Sequence, residues 1–348
     1  VKNNITNNTL GINVKTVIIC SGIFLLLSAA TIFIHLSIYR SHHPAVATPS
    51  TSGTSADEPA AMDLIRGNDL KLINKLYLAD IDEESPKYLG FKGRLSGIIT
   101  KAATGPVKSV SVYFRNMTDG SWMSIGSDNL FYPGSLIKVP IMIYFLEQER
   151  LHKGTLDKVL TYEKPKQSFP SQVYKGDSIL DGRKYKISEL LKYMIVESDN
   201  NATNLLAKNM KNDPFCKIFT DLEIPPDKIN DVNYQISAKD YSKFFRILYS
   251  SSYLPRTYSE YALELLAKCK FNQGISRNLP QDIIVAHKFG EHGRDYDMDF
   301  SETAIVYHPN VPYLLAIMTK GSDAKIQSDV VSNIADEVYR FVSGNSSR

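Results

Sequence analysis

Phe131-Tyr132-Pro133-Gly134-Ser135-Leu136-Ile137-Lys138-Val139-Pro140-Ile141-Met142-Ile143-Tyr144-Phe145 reads as a short turn running into a helix with apolar residues on every side. A helix without a polar face has to be buried. Its first turn nevertheless carries Ser135 and Lys138, and an i, i+3 spacing sets hydroxyl and amine on one face. A serine at a helix start lies over backbone N–H groups and the positive end of the dipole, which favours negative charge developing there. A buried lysine has a lowered pKa and acts as a base, which a nucleophilic serine requires. Pro140 removes one backbone hydrogen bond, so a kink or an early irregular turn is expected.

Ser-x-x-Lys alone is a weak signal, and the chain contains its own control. Ser322-Asp323-Ala324-Lys325 has the same spacing. There Ser322 or Asp323 reads as the N-cap of a terminal amphipathic helix.

Working outward, Lys108–Arg115 alternates apolar and polar residues with the period of a strand. Turn residues Asn116–Gly120 and a second strand, Ser121–Ile125, complete a hairpin before the serine. After the serine helix comes a loop-rich stretch, His152–Lys186. Ser188 then reads as the cap of a helix through Ile195, with Glu189 in its first turn. That helix breaks at Ser198-Asp199-Asn200, and another starts at Asn201. Further helices are expected over Ala238–Tyr249, Ser259–Lys270 and 322–342, and strands over Asp282–Gly290, Glu302–His308 and Tyr313–Thr319. Strands at both ends with helices between them describe an α+β domain, one antiparallel sheet with helices on its faces.

Three motifs lie in order: Ser135-x-x-Lys138 at a helix start, Ser198-Asp199-Asn200 between helices, and Lys288-Phe289-Gly290 at a strand end. Each is weak alone; Ser-Asp-Asn is an ordinary cap and Lys-x-Gly an ordinary turn. In this order and on these elements the chain resembles the active-site serine family of class A β-lactamases and penicillin-binding D,D-peptidases. The resemblance covers residues 90–345 approximately. It implies the β-lactamase/D,D-peptidase-like fold over residues 90–348: an antiparallel sheet flanked by helices, with an all-helical subdomain.

The resemblance also implies roles. Ser135 would attack an activated amide and form an acyl-enzyme, with Lys138 taking or relaying its proton. Ser198 would pass a proton to the leaving nitrogen while Lys288 holds its hydroxyl in a positive field. Asn200 would hold Lys138 and a substrate amide, and Lys288, Phe289 and Gly290 would line the substrate. The backbone N–H groups of Ser135 and Glu291 would form the oxyanion hole. No metal or other cofactor is implied.

Two departures stand out. Phe289 replaces the usual threonine, so a hydroxyl that would bind a substrate carboxylate is missing, and Phe289→Thr is expected to improve apparent affinity. His287, His292 or Arg294 are candidate substitutes, although such residues are ordinarily just polar positions in loops. The region Asp221–Asn233 lacks the glutamate signature that orients a deacylating water in class A β-lactamases. Glu223, which reads mainly as a helix end, and Glu197, next to Ser198, are the candidate bases. Without a placed base deacylation should be slow, since general-base help is worth about 10²–10⁴-fold.

The 348 residues are 43% hydrophobic and 22% charged with a net charge of +3, ordinary for a globular protein. No basic-aromatic patch argues for nucleic acid. Cys20, Cys216 and Cys269 match no metal spacing, and whether the latter two pair is left open.

Thr16–Ile34 is free of charge, and the run extends to Tyr39 if His35 is neutral. It spans roughly 28 Å as a helix, enough for a bilayer core. Residues 16–39 are therefore expected to be a transmembrane signal anchor, with 1–15 cytoplasmic and the rest exported. A cleaved signal peptide ending near Ser28-Ala29-Ala30 is the rival reading. Residues 40–61, rich in Ser, Thr and Pro, read as a flexible linker, and 62–89 as a helical lead-in through Leu64, Leu70, Ile73, Leu76 and Leu78.

The function expected is a membrane-anchored serine hydrolase that opens β-lactam amides, acting as a monomer. The alternatives are a D,D-peptidase on peptidoglycan stem peptides and a catalytically idle cell-wall binding module.

Overall fold

The structure, a computed structural model, describes residues 62–67, 75–103, 105–165, 174, 176–226, 229, 233–294 and 297–344. The expected cytoplasmic segment, membrane span and linker (1–61) lie outside the described residues. Among the described residues no helix is long and apolar enough to cross a membrane.

The described chain begins as strand, which corrects the helical lead-in expected over 62–89. β1 (Met62–Gly67) and β2 (Lys75–Ile81) pair antiparallel with Ile65 opposite Leu78. The spacing of Leu64, Leu76 and Leu78 fits a helix loosely, but burial is decided by neighbours far along the chain. Ile65, Tyr77 and Leu78 enter the core, while Leu64 and Leu76 remain exposed. Asp80 is drawn inward to two guanidinium groups, with Arg115 Nη1 at 2.8 Å and Arg246 Nη1 at 2.9 Å. The helix starts only at Leu89, as α1 (Leu89–Ala102).

β3 (Val107–Asn116) and β4 (Trp122–Ile125) form the expected hairpin. A 3₁₀ turn, Gly134–Ile137, leads into α2 (Lys138–Leu151), which is buried through Leu146, as its unbroken apolar sequence requires. Pro140 falls in the first turn of α2, where a missing N–H is tolerated. The expected irregularity is this 3₁₀ turn rather than a kink. β5 (Val159–Thr161) and β6 (Lys184–Lys186) make a small antiparallel pair.

Next come α3 (Ile187–Val196), α4 (Asn200–Lys208) and α5 (Asn212–Asp221). The cap of α3 is Lys186, not Ser188: the Glu189 carboxylate accepts the Lys186 N–H at 2.7 Å. α6 (Ala238–Tyr249), capped by Ser237, and α7 (Arg256–Ala267) precede β7 (Val285–Arg294), β8 (Asp297–Val306) and β9 (Tyr313–Gly321). α8 (Ala324–Val342) follows, with Asp323 accepting the Ile326 N–H, so the control Ser-Asp-Ala-Lys is a helix cap.

The main sheet has the order β4-β3-β9-β8-β7 with every pair antiparallel. β9 is central and buried on both faces, which explains its nearly continuous apolar sequence. Its alternate side chains serve two cores. Leu315 and Ile317 pack with Phe91 and Leu95 of α1 and with Val331 and Ile334 of α8. Leu314, Ala316 and Met318 belong to the second core, with Val139 and Met142 of α2 and Phe244 of α6. The fold is α+β, an antiparallel sheet with helices on both faces.

Candidate active site

Ser135 lies on the 3₁₀ turn and Lys138 is the first residue of α2. Both are buried, Lys138 to 1% exposure. The Tyr241 hydroxyl of α6 donates to the Leu136 carbonyl at 2.8 Å and braces the turn from below.

The Lys138 side-chain nitrogen reaches across to the Ser-Asp-Asn segment. Its Nζ donates to the Ser198 carbonyl (2.6 Å), Ser198 Oγ (3.1 Å) and Asn200 Oδ1 (2.8 Å). Lys288 approaches the same hydroxyl from β7, donating to Ser198 Oγ and to the Phe289 carbonyl, each at 2.9 Å. Burial, followed by the charge of Lys288, holds Lys138 well below the ordinary lysine pKa, against a smaller opposing pull from Asp199 and Glu291. Burial also lowers Lys288, to about 8, opposed by Cys269, Glu302 and Glu291.

Ser198 is fully buried and in the left-handed region, φ 55°, a conformation costly for a residue with a Cβ. Its neighbours hold it there. Asp199 caps α4 through the N–H groups of Asn201 and Ala202, and also accepts from Ser178 Oγ (2.8 Å) and the Ile179 N–H (3.0 Å). Glu197 pairs with Lys270 at 2.7 Å and accepts the Asp177 N–H at 3.2 Å. The Lys270 N–H bonds the Val196 carbonyl as well. Glu197 is thus a clamp between α3, the 176–179 loop and the segment leading to β7.

β7 passes against the serine turn at backbone contact. A Cβ on Gly290 would stand 2.4 Å from the Pro133 carbonyl oxygen, and one on Gly134 (φ 50°) would stand 2.3 Å from that of Glu291. Only glycine permits this approach, which brings the Ser135 and Glu291 peptide groups beside each other.

Phe289 departs from its expected substrate-facing role. Its ring is fully buried, stacked on Phe271 (centroids 4.2 Å) with Tyr174 edge-on at 5.2 Å. It offers Lys288 its carbonyl, and its side chain belongs to the core. His287 likewise turns inward, its Nδ1 2.7 Å from the buried Glu302, whose other oxygen accepts the Ile275 N–H at 2.7 Å. Of the three candidate substitutes, His292 is at the surface beside the site, its ring stacked on Tyr132 at 4.4 Å; the Arg294 side chain lies outside what the structure describes.

Glu223 is exposed just past the end of α5, its N–H on the Thr220 carbonyl, which agrees with the helix-end reading. The last turn of α5 shares a cavity with Glu147, Arg150 and Leu151. That is the far end of α2, about 20 Å along the helix from Lys138. Cys216 and Cys269 are unpaired thiols. Among the described residues no cluster of His, Cys, Asp or Glu is arranged to hold a metal.

Sequence reasoning missed Asp299, which accepts the Tyr132 N–H at 2.7 Å from 167 positions away. No local pattern marks such a contact. The register of β7 against β8, with His292 opposite Asp299, was the information needed.

Solved structures with this fold include PBP-A (20% identity, TM-score 0.60, covering 72% of this chain and 96% of that one). A PBP-A variant solved as an acyl-enzyme complex with penicillin G matches at 20% identity and TM-score 0.61, covering 73% and 97%. A β-lactamase from Chitinophaga pinensis matches at 19% identity and TM-score 0.62, covering 73% and 99%. No match was found among curated proteins. The model of the β-lactamase enzyme family matches residues 93–342, from α1 to the end of α8 and across all three motifs, and the chain belongs to that family.

Proposed function

We propose that the protein is a serine hydrolase that opens β-lactam amides through an acyl-enzyme on Ser135, with slow deacylation. The observation that carries this reading is the relay Lys288–Ser198–Lys138. A neutral Lys138 can give its two N–H groups to the Ser198 carbonyl and Asn200 Oδ1. Its lone pair is then available for a proton.

In this mechanism Ser135 Oγ attacks the amide carbon as its proton passes to Lys138. The oxyanion forms against the N–H groups of Ser135 and Glu291. The C–N bond breaks as the nitrogen takes the Ser198 proton, and Lys138 returns a proton to Ser198 Oγ. Lys288, charged, keeps the Ser198 hydroxyl polarised throughout. The product of these steps is an ester on Ser135 and a free amine.

Hydrolysis of that ester needs an activated water. Glu197 is engaged by Lys270 and the Asp177 N–H, and Glu223 is exposed past the end of α5. The engagement of the Glu197 carboxylate and the exposed position of Glu223 support a long-lived acyl-enzyme. It equally favours a second reading, a penicillin-binding D,D-peptidase whose acyl group goes to another acceptor.

Intact mass followed over time with penicillin G tests both. A Ser135 adduct that outlasts many minutes, absent in Ser135→Ala, is expected. Rapid drug hydrolysis without accumulation would overturn slow deacylation, and no adduct would leave peptide substrates or an idle binding module. Release of the terminal residue from a peptide ending in two D-amino acids would select the peptidase.

The charge-free run Thr16–Ile34 supports a membrane anchor with the domain outside. Protease added to intact cells should then cut the domain, and full protection would refute the placement.

A further inference from the structure

The proposed oxyanion hole draws its two N–H donors from segments more than 150 positions apart in sequence, Ser135 and Glu291. Something has to fix their separation. Tyr132, three residues before Ser135, and His292, one residue after Glu291, stack ring on ring at 4.4 Å with planes 24° apart. Beneath them Asp299 of β8 faces His292 across one strand pair and Lys320 across the other. The three polar residues form one cross-strand row on the face of the sheet that also carries Lys288 and Gly290, because residues two apart share a face. Asp299 Oδ2 accepts the Tyr132 N–H at 2.7 Å, and Lys320 Nζ stands 5.7 Å from the Tyr132 ring centre.

Asp299 is poorly placed if its purpose is stability. It is 2% exposed. Its Oδ1 makes no hydrogen bond, and its ion partner Lys320 is 3.8 Å away. Burial raises its pKa, opposed by the Tyr132 N–H, Lys320 and His292 and reinforced by Asp297. A buried carboxylate so incompletely satisfied costs free energy. An apolar residue would serve the core better but would accept no hydrogen bond from Tyr132.

We propose that Asp299 is a positioning residue: with Tyr132 and His292 it clasps the serine turn to β7 and sets the spacing of the two oxyanion-hole donors. The inference rests on the acyl-enzyme reading for its chemistry, but the clasp itself is testable without it. An ionised acceptor on a backbone N–H is about twice as strong as a neutral one. Losing it frees the turn, and a displacement of about 1 Å at a reacting centre can cost about 100-fold in rate.

The experiment uses the full chain and three variants, Asp299→Ala, Asp299→Asn and Tyr132→Ala. Asp299→Asn keeps an oxygen acceptor, whereas Tyr132→Ala removes the stack and keeps the N–H, so the clasp remains testable if Asp299→Ala fails to fold. Hydrogen exchange read by mass spectrometry should show faster exchange over both 131–136 and 289–293 in Asp299→Ala and Tyr132→Ala, with near-normal protection in Asp299→Asn. With penicillin G, acylation should fall about 100-fold in the two alanine variants and less than about tenfold in Asp299→Asn. The infrared stretch of the acyl carbonyl should move to higher frequency in the alanine variants, reporting weaker polarisation in the hole. Unchanged exchange in both segments overturns the clasp whether or not the chain reacts with penicillins. If exchange behaves as expected and the wild type forms no adduct, the acyl-enzyme reading fails and the clasp stands. Slower acylation with an unmoved carbonyl stretch would make Asp299 a structural residue only.

Discussion

Lys138 and Lys288 converge on one hydroxyl: their Nζ atoms stand 3.1 and 2.9 Å from Ser198 Oγ. Two ammonium groups sharing one buried oxygen repel each other, and burial already disfavours charge on each. The result is a division of labour, with Lys138 surrendering its proton first and Lys288 retaining its own up to about pH 8.

Acylation should therefore decline as pH rises through about 8, where Lys288 loses the charge that polarises Ser198. Lys288→Arg keeps a positive charge and should displace the decline upward. Second-order acylation rates with penicillin G between about pH 6 and 10 read this directly; a wild-type rate that keeps climbing throughout contradicts the assignment.

The same lysine makes a stability prediction. Its folded pKa of about 8 lies below its ordinary 10.5, so between these values the unfolded chain holds a proton that the folded chain has released. Stability attributable to Lys288 rises with pH across that window. Urea midpoints of wild type and Lys288→Met should differ in slope over this range, with the variant lacking the rise.

Phe289→Thr is now expected to damage the fold rather than improve substrate affinity. It removes a ring packed between Phe271 and Tyr174 and should cost about 3 kcal/mol. Chemical denaturation measures the loss, and a variant as stable as wild type with tighter β-lactam binding would restore the substrate-facing role.

Asp80→Ala leaves Arg115 and Arg246 buried without their shared carboxylate and should destabilise by about 3–5 kcal/mol. Burial opposes ionisation of Asp80, but Arg246 and then Arg115 outweigh it and hold the carboxyl below its usual 3.8. Its contribution is complete above that value and disappears as pH falls through the lowered one. Acid unfolding of wild type and variant should therefore converge at low pH, and parallel curves would argue against the pairing.

Glu223→Gln should leave the lifetime of the acyl-enzyme unchanged, since Glu223 lies past the end of α5. Glu197→Gln exchanges an ion pair with half-exposed Lys270 for a neutral contact, a change of about 1 kcal/mol or less. Adduct decay by intact mass separates the cases: decay slower than in the wild type in either variant would identify that carboxylate as a deacylating base.

Much of the fold was legible because periodicity is a local property. The β3–β4 hairpin, the all-round apolar α2, the amphipathic α6 and α8, and the buried β9 follow from spacing and composition over ten to twenty residues. The three motifs were equally visible, and their order on helix start, interhelical turn and strand end carried the family. The lead-in failed because leucines at loose helical spacing also fit two strands, and the choice fell to Ile65, Leu78 and Asp80 finding partners more than 30 positions away.

The sequence by itself determined the hairpin, the buried α2, the strands of the last third, the family, and the three motifs that carry Ser135, Lys138, Ser198 and Lys288. Only the tertiary structure decided that Phe289 is core, that Glu197 is a clamp, that Lys138 and Lys288 share one hydroxyl, and that Asp299 holds the serine turn. The physical reason is that secondary structure answers to hydrogen bonds and burial within one segment. The charge state and direction of a side chain answer instead to whatever the register of a sheet brings opposite it, and that register spans the whole chain.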